Sequence, residues 1–137
     1  MKVKNYYTEI TAGCISDLYR NDEYHSYYIN DSHQNEKDCL TAVKNYGHAV
    51  QFVKRKTPEI CMAAVQADSY SLRCIEDQTP ELCMTAVKQC GNTLQFVRNQ
   101  TPEICMAAVQ NNGNAIRYIR DKDLKRKIKK LDQDGSL

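Results

Sequence analysis

A chain of 137 residues is long enough for one domain and short for two. With 42% hydrophobic and 26% charged residues, and only 5 glycines and 3 prolines, it is neither a disordered nor a fibrous polymer. The net charge of +2 supplies no global field toward nucleic acid or a membrane surface. No apolar run approaches the ~18 residues of a membrane-spanning helix, so no membrane partner is expected. The first residues, Met-Lys-Val-Lys-Asn-Tyr-Tyr-Thr-Glu, lack the apolar stretch of a secretory signal. Seven cysteines, an odd number without a C-x-x-C pair, read as reduced thiols in the cytoplasm.

Residues 1–34 carry six of the nine tyrosines and are acidic on balance. Tyr24, Tyr27 and Tyr28 lie in this segment, which reads as an N-terminal cap over the first repeat. Tyrosine is also enriched at interfaces, so the same rings are candidate anchors for a partner.

From residue 35 the chain repeats itself every 22 residues. Thr57-Pro58-Glu59-Ile60-Cys61-Met62 returns as Thr79-Pro80-Glu81-Leu82-Cys83-Met84, and again as Thr101-Pro102-Glu103-Ile104-Cys105-Met106. One period earlier, Asn35-Glu36-Lys37-Asp38-Cys39-Leu40 is a first repeat with its cap altered. Counting the threonine as position 1, each repeat predicts two short helices. The threonine caps helix A, proline suits its first turn, and glutamate at position 3 complements the dipole. Leu82, Cys83, Met84, Ala86 and Val87 then share one broad apolar arc, as a helix packed on two sides requires. Gly47, Gly91 and Gly113 fall where a left-handed residue would end helix A, with Ser69 departing from the pattern. Helix B follows, for example Asn114 to Asp121, with apolar positions 15, 16, 18 and 19.

No single A–B pair buries its apolar faces alone, so the repeats must stack. The expectation is an all-α, short right-stacked solenoid. It has a cap at 1–34, four repeats at 35–122, and a truncated, basic fifth repeat at 123–137. Between Arg117 and Lys130 there are eight basic and two acidic residues. This tail serves as a polar end cap or touches an anionic partner.

The run T-P-E-(I/L)-C-M-x-A-V, then Gly, then L/I/V-x-F/Y-V/I, resembles an uncharacterised helical repeat over about residues 35–122. That family, a domain of unknown function, occurs in giant viruses, amoeba-associated bacteria and mobile elements. The resemblance implies tandem arrays that interact with host or partner proteins, in the cytoplasm of the producing or host cell. It implies no active site.

Candidate chemistry is sparse. Cys39, Cys61, Cys83 and Cys105 recur in register, yet stacked helices lie about 8–10 Å apart while zinc needs sulfurs about 4 Å apart. They read as core, as does Cys74, which replaces the aromatic of Phe52, Phe96 and Tyr118. Cys14 is unassigned, and Cys90 in the A–B turn is the expected exposed thiol. A Cys–His nucleophile pair using His25 or His33 is formally open. No phosphate loop or H-E-x-x-H motif is present. Neither a metal nor a cofactor is expected, and the chain reads as a non-enzyme. Positions 17, 20 and 21 of helix B vary from repeat to repeat. As one helical face they would form a solvated surface or a recognition stripe. The residues singled out are Arg73, Arg98, Arg117 and Arg120, with Tyr24, Tyr27 and Tyr28. The partner expected is a protein. The alternative is nucleic acid, bound by the stripe and the basic tail.

Overall fold

The computed structural model describes residues 36–137. Five α-helices alternate with four 3-10 helices: α1 Glu36–Asn45, η1 Gly47–Phe52, α2 Pro58–Ala67, η2 Ser69–Cys74, α3 Pro80–Gln89, η3 Gly91–Phe96, α4 Pro102–Asn111, η4 Gly113–Tyr118 and α5 Lys122–Gln133. Among the described residues there is no strand. The threonine caps form as the sequence predicts. Thr57, Thr79 and Thr101 accept through Oγ1 from the N–H of Ile60, Leu82 and Ile104 at 3.2–3.3 Å, each with proline in the first turn.

Each α-helix packs on the next and on the 3-10 helices to either side. The contact layer is small and repeats. Ala42, Ala64, Ala86 and Ala108 at position 8 are fully buried, and Val43, Val65, Val87 and Val109 beside them are nearly so. Alanine lets adjacent backbones approach closely, and the valines with position 4 (Ile60, Leu82, Ile104) fill the space between. Burying one such aliphatic side chain contributes about 1.5–3 kcal/mol, so four registers of them carry the fold.

Helix B is not α-helical, and the link before it is one extended residue rather than a turn. Tyr46, Asp68, Cys90 and Asn112 hold φ near −139 to −153°, and a six-residue 3-10 helix begins at once. Length explains the choice. Ten α-residues advance about 15 Å, and a return of only six residues covers about 12 Å in 3-10 form but about 9 Å as α-helix. At three residues per turn, positions 14 and 17 form the outer row while 13, 15 and 16 face inward.

The glycine expectation is corrected as well. Among the described glycines only Gly135 has positive φ, at 71°. There it closes α5: Ser136 N–H donates to Leu131 O and Gly135 N–H to Asp132 O, a two-bond left-handed cap. Gly47 and Gly91 are glycines for lack of room. A Cβ on Gly47 would lie 2.5 Å from the Ala64 carbonyl oxygen, and one on Gly91 would lie 2.2 Å from that of Ala108. Both are position-8 carbonyls of the following repeat. Gly113 has no such neighbour, its nearest atom being Asp132 Oδ2 at 3.9 Å, because α5 does not repeat the register. Repeat 2 carries buried Ser69 at this place, and the α2–α3 junction after it is packed less closely than α1–α2 or α3–α4.

Helix α5 is capped by Asp121, whose Oδ1 accepts from the N–H of Asp123 and Leu124. It therefore starts ahead of the position its predecessors use. Ile128 is buried, and Leu124 packs against the core edge.

Candidate functional site

The repeats are joined by side chains that cross to backbone. Gln100 ends repeat 3 at position 22. Its Nε2 donates to Leu94 O at 3.1 Å and to Tyr118 O of the next repeat at 3.0 Å, while Oε1 accepts from Arg120 N–H at 3.1 Å. Gln78 makes the equivalent three bonds one repeat earlier, to Leu72 O, Phe96 O and Arg98 N–H, and a fourth to Ile75 O. Repeat 1 has Lys56 here, whose Nζ donates to Val53 O of its own repeat. The opposite edge is joined through position 11: Gln89 Nε2 donates to Gln66 O and Asn111 Nδ2 to Lys88 O. Between repeats 1 and 2 an ion-pair geometry does this, with His48 Nδ1 2.9 Å from Asp68 Oδ2. The glutamines were missed in the sequence because a polar residue before a cap reads as loop. Their recurrence at the same position was the available signal.

The edge formed by the bends after the 3-10 helices and the first turns of the α-helices is grooved. One groove, of about 740 Å³, lies between α2 and α3 beneath the bend of repeat 2. Met62, Cys74, Ile75 and Leu82 form its apolar part, and Glu59, Glu76, Asp77 and Glu81 stand around it opposite Lys54 and Lys56. A smaller one, of about 430 Å³, lies one repeat earlier beside Lys54 and Arg55.

Of the expected binding residues, Arg73 and Arg117 are exposed on the outer 3-10 row. Arg117 lies over the Tyr118 ring at 5.6 Å. Arg98 and Arg120 are exposed but sit in the bends that follow, so the four arginines do not share one helical face. Arg120 is tied down: its guanidinium donates to Arg98 O at 3.0 Å and to Val97 O at 2.6 Å. It is first a strut between repeats 3 and 4. Tyr24, Tyr27 and Tyr28, with the rest of the 1–34 cap, Cys14, His25 and His33, lie outside the described residues.

The register cysteines are buried side chains. Burial raises the pKa of Cys39, Cys61, Cys83 and Cys105, with the carboxylates Asp38 and Glu36 adding to it at Cys39. Thiols so disposed stay protonated and are poor nucleophiles. Cys90 is half-buried, its Sγ 3.8 Å from Tyr70 Oη. No group of three or more His, Cys, Asp or Glu side chains among the described residues is arranged to hold a metal ion.

The comparison with known families falls on repeats 3 and 4. Residues 79–125 match the family model of a domain of unknown function (DUF4116). The DUF4116 match spans both of those repeats and the start of α5, and takes in Arg98, Arg117, Arg120 and Gln100. It agrees with an uncharacterised repeat family. No curated protein and no solved structure matches the chain. No helix of the described residues is long and apolar enough to cross a membrane.

Proposed function

We propose that the chain is a short, right-stacked α-solenoid that works without catalysis by holding a partner protein. It would serve as a small effector, adaptor or inhibitor encoded by a pathogen or mobile element, in the cytoplasm of the producing or host cell. One contrast carries the reading. The buried cysteine, alanine and valine at positions 5, 8 and 9 recur in all four repeats, while the exposed positions 17, 20 and 21 vary. Position 17 runs Gln51, Arg73, Gln95, Arg117, position 20 runs Lys54, Glu76, Arg98, Arg120, and position 21 runs Arg55, Asp77, Asn99, Asp121. A stack that presents different side chains at equal spacing is suited to an irregular protein surface.

Helix α5 favours a second reading, nucleic acid. Lys122, Lys125, Arg126, Lys127, Lys129 and Lys130 lie on it against Asp123 and Asp132, a balance of six to two. Against this, the varied rows include Glu76, Asp77 and Asp121, which repel phosphate.

Capture from host-cell extract on the immobilised full chain, with and without nuclease and at rising salt, separates the two. A protein retained after nuclease, and still held as salt rises from 50 to 200 mM, supports the proposal. Capture abolished by nuclease, or falling about 10³-fold or more over that range as phosphate contacts do, replaces it with the second reading.

A further inference from the structure

Repeat 2 departs from its neighbours at three places, and two of these line the larger groove. At position 18 the smaller Cys74 stands where Phe52, Phe96 and Tyr118 stand, and it lines the groove. At position 20 Glu76 stands where the other repeats have the cations Lys54, Arg98 and Arg120. In repeat 4 that cation reaches back to the carbonyls of Val97 and Arg98 and covers the edge. A carboxylate cannot donate such bonds, so Glu76 makes no such reach back to the bend of repeat 1 and stands on the lining of the groove instead. The third departure, Ser69 for glycine, adjoins the more loosely packed α2–α3 junction.

The groove that these residues line, about 740 Å³, falls in the range of roughly 300–1,000 Å³ typical of ligand sites. Its apolar part suits one aliphatic side chain. Its charge is one-sided: Glu59, Glu76, Asp77 and Glu81 are all exposed and outnumber Lys54 and Lys56. Lys56 is already engaged with Val53 O. A cationic occupant is favoured and an anionic one, nucleic acid included, is repelled.

We infer that this groove takes an extended peptide segment of a partner protein, in which an aliphatic side chain is followed by an arginine or lysine. The aliphatic group rests on the half-buried Met62 and Cys74, over the buried Ile75 and Leu82, and the cation sits among Glu76, Asp77 and Glu81. The inference rests on the protein-binding reading and gives it a chemistry.

The probes are two pools of fluorescein-labelled hexapeptides with randomised flanks. One carries a central leucine–arginine and the other a leucine–glutamate, each titrated against the full chain by anisotropy. The leucine–arginine pool is expected to bind at least about tenfold more tightly, the scale of two partly exposed charge pairs. Cys74→Phe should bring its binding down to that of the glutamate pool. Glu76→Lys with Asp77→Lys, both on exposed positions, should reverse the preference even where Cys74→Phe perturbs folding. Equal binding of the pools, no binding of either, or a preference unchanged in the charge-reversed variant overturns the assignment. If extract capture persists while the peptides do not bind, the groove assignment alone falls. If both fail, the protein-binding reading falls with it.

Discussion

At the scale of single residues, one position shows how the stack sets its own requirements. Position 13 is glycine in three repeats, yet for two reasons. In Gly91 the missing Cβ makes room for the Ala108 carbonyl, whereas around Gly113 the space is open. Gly91→Ala is therefore expected to cost about 2–3 kcal/mol as an overpacked contact. Gly113→Ala should be neutral or stabilise by up to about 1 kcal/mol, through loss of unfolded-chain entropy. Urea denaturation of both variants checks this, and equal effects would undo the packing explanation. The sequence marked these glycines as special but could not say why. Both a left-handed turn and a close approach select glycine, and only the neighbour's position decides. The cysteines were more legible, since their register with Ile60, Leu82 and Ile104 placed them in the core. Because burial raises the thiol pKa of Cys39, Cys61, Cys83 and Cys105, iodoacetamide at pH 7.5 should, among the cysteines of the described residues, label the less buried Cys74 and Cys90 before these four. Those four should react only as the chain unfolds. The folded state holds these thiol protons more tightly than the unfolded chain, so their contribution is complete below pH 9.0 and declines as pH rises above it. Thermal melts at pH 7.5 and pH 10 should show the lower midpoint at pH 10.

At the scale of elements, the caps, first turns and apolar arcs of the α-helices could be read directly. Each is a local pattern that repeats in phase: Thr57, Thr79 and Thr101 cap as their chemistry dictates. Helix B could not be read so well. Its apolar positions fit an α-period and a 3-10 period over only six residues, and the choice is made by the distance the chain must return. The staples at position 22 were hidden for a related reason, since their acceptors lie in another repeat. Gln100 satisfies two carbonyls and one N–H across the repeat 3–4 junction. Gln100→Ala leaves all three without that partner and is expected to cost about 2 kcal/mol. Gln100→Glu keeps the shape but loses the donor and sets a carboxylate against two carbonyls, so it should be at least as costly. Stability near wild type in the Glu variant would show that shape, and not the bonds, joins the repeats. The Arg120 strut is of the same kind, and reversing Arg120 would disturb stability as well as binding.

At the scale of the whole molecule, the described residues form repeated helix pairs that pack together through recurring buried alanines and valines, while residues at positions 17, 20 and 21 differ. The staples divide it unequally. Glutamines link repeats 2, 3 and 4, whereas repeat 1 is held by His48–Asp68 and by the Thr57 hydroxyl donating to Glu36. In a stack stabilised by nearest-neighbour contacts, repeat 1 should exchange its amide protons faster than repeats 3 and 4. The larger groove lies between these regimes, where repeat 2 breaks the pattern, and reading it in the sequence required knowing what the regular residues cover elsewhere. The central claim is that the varied outer row grips a partner protein. It is tested most directly on Arg73 and Arg117, which are exposed and lie apart from the staples. Arg73→Glu with Arg117→Glu should leave the helical circular dichroism unchanged. It should reduce recovery of the captured protein from host-cell extract by about tenfold or more, the loss expected when interface arginines are reversed. Full recovery of the same partner by a folded double variant would contradict the claim.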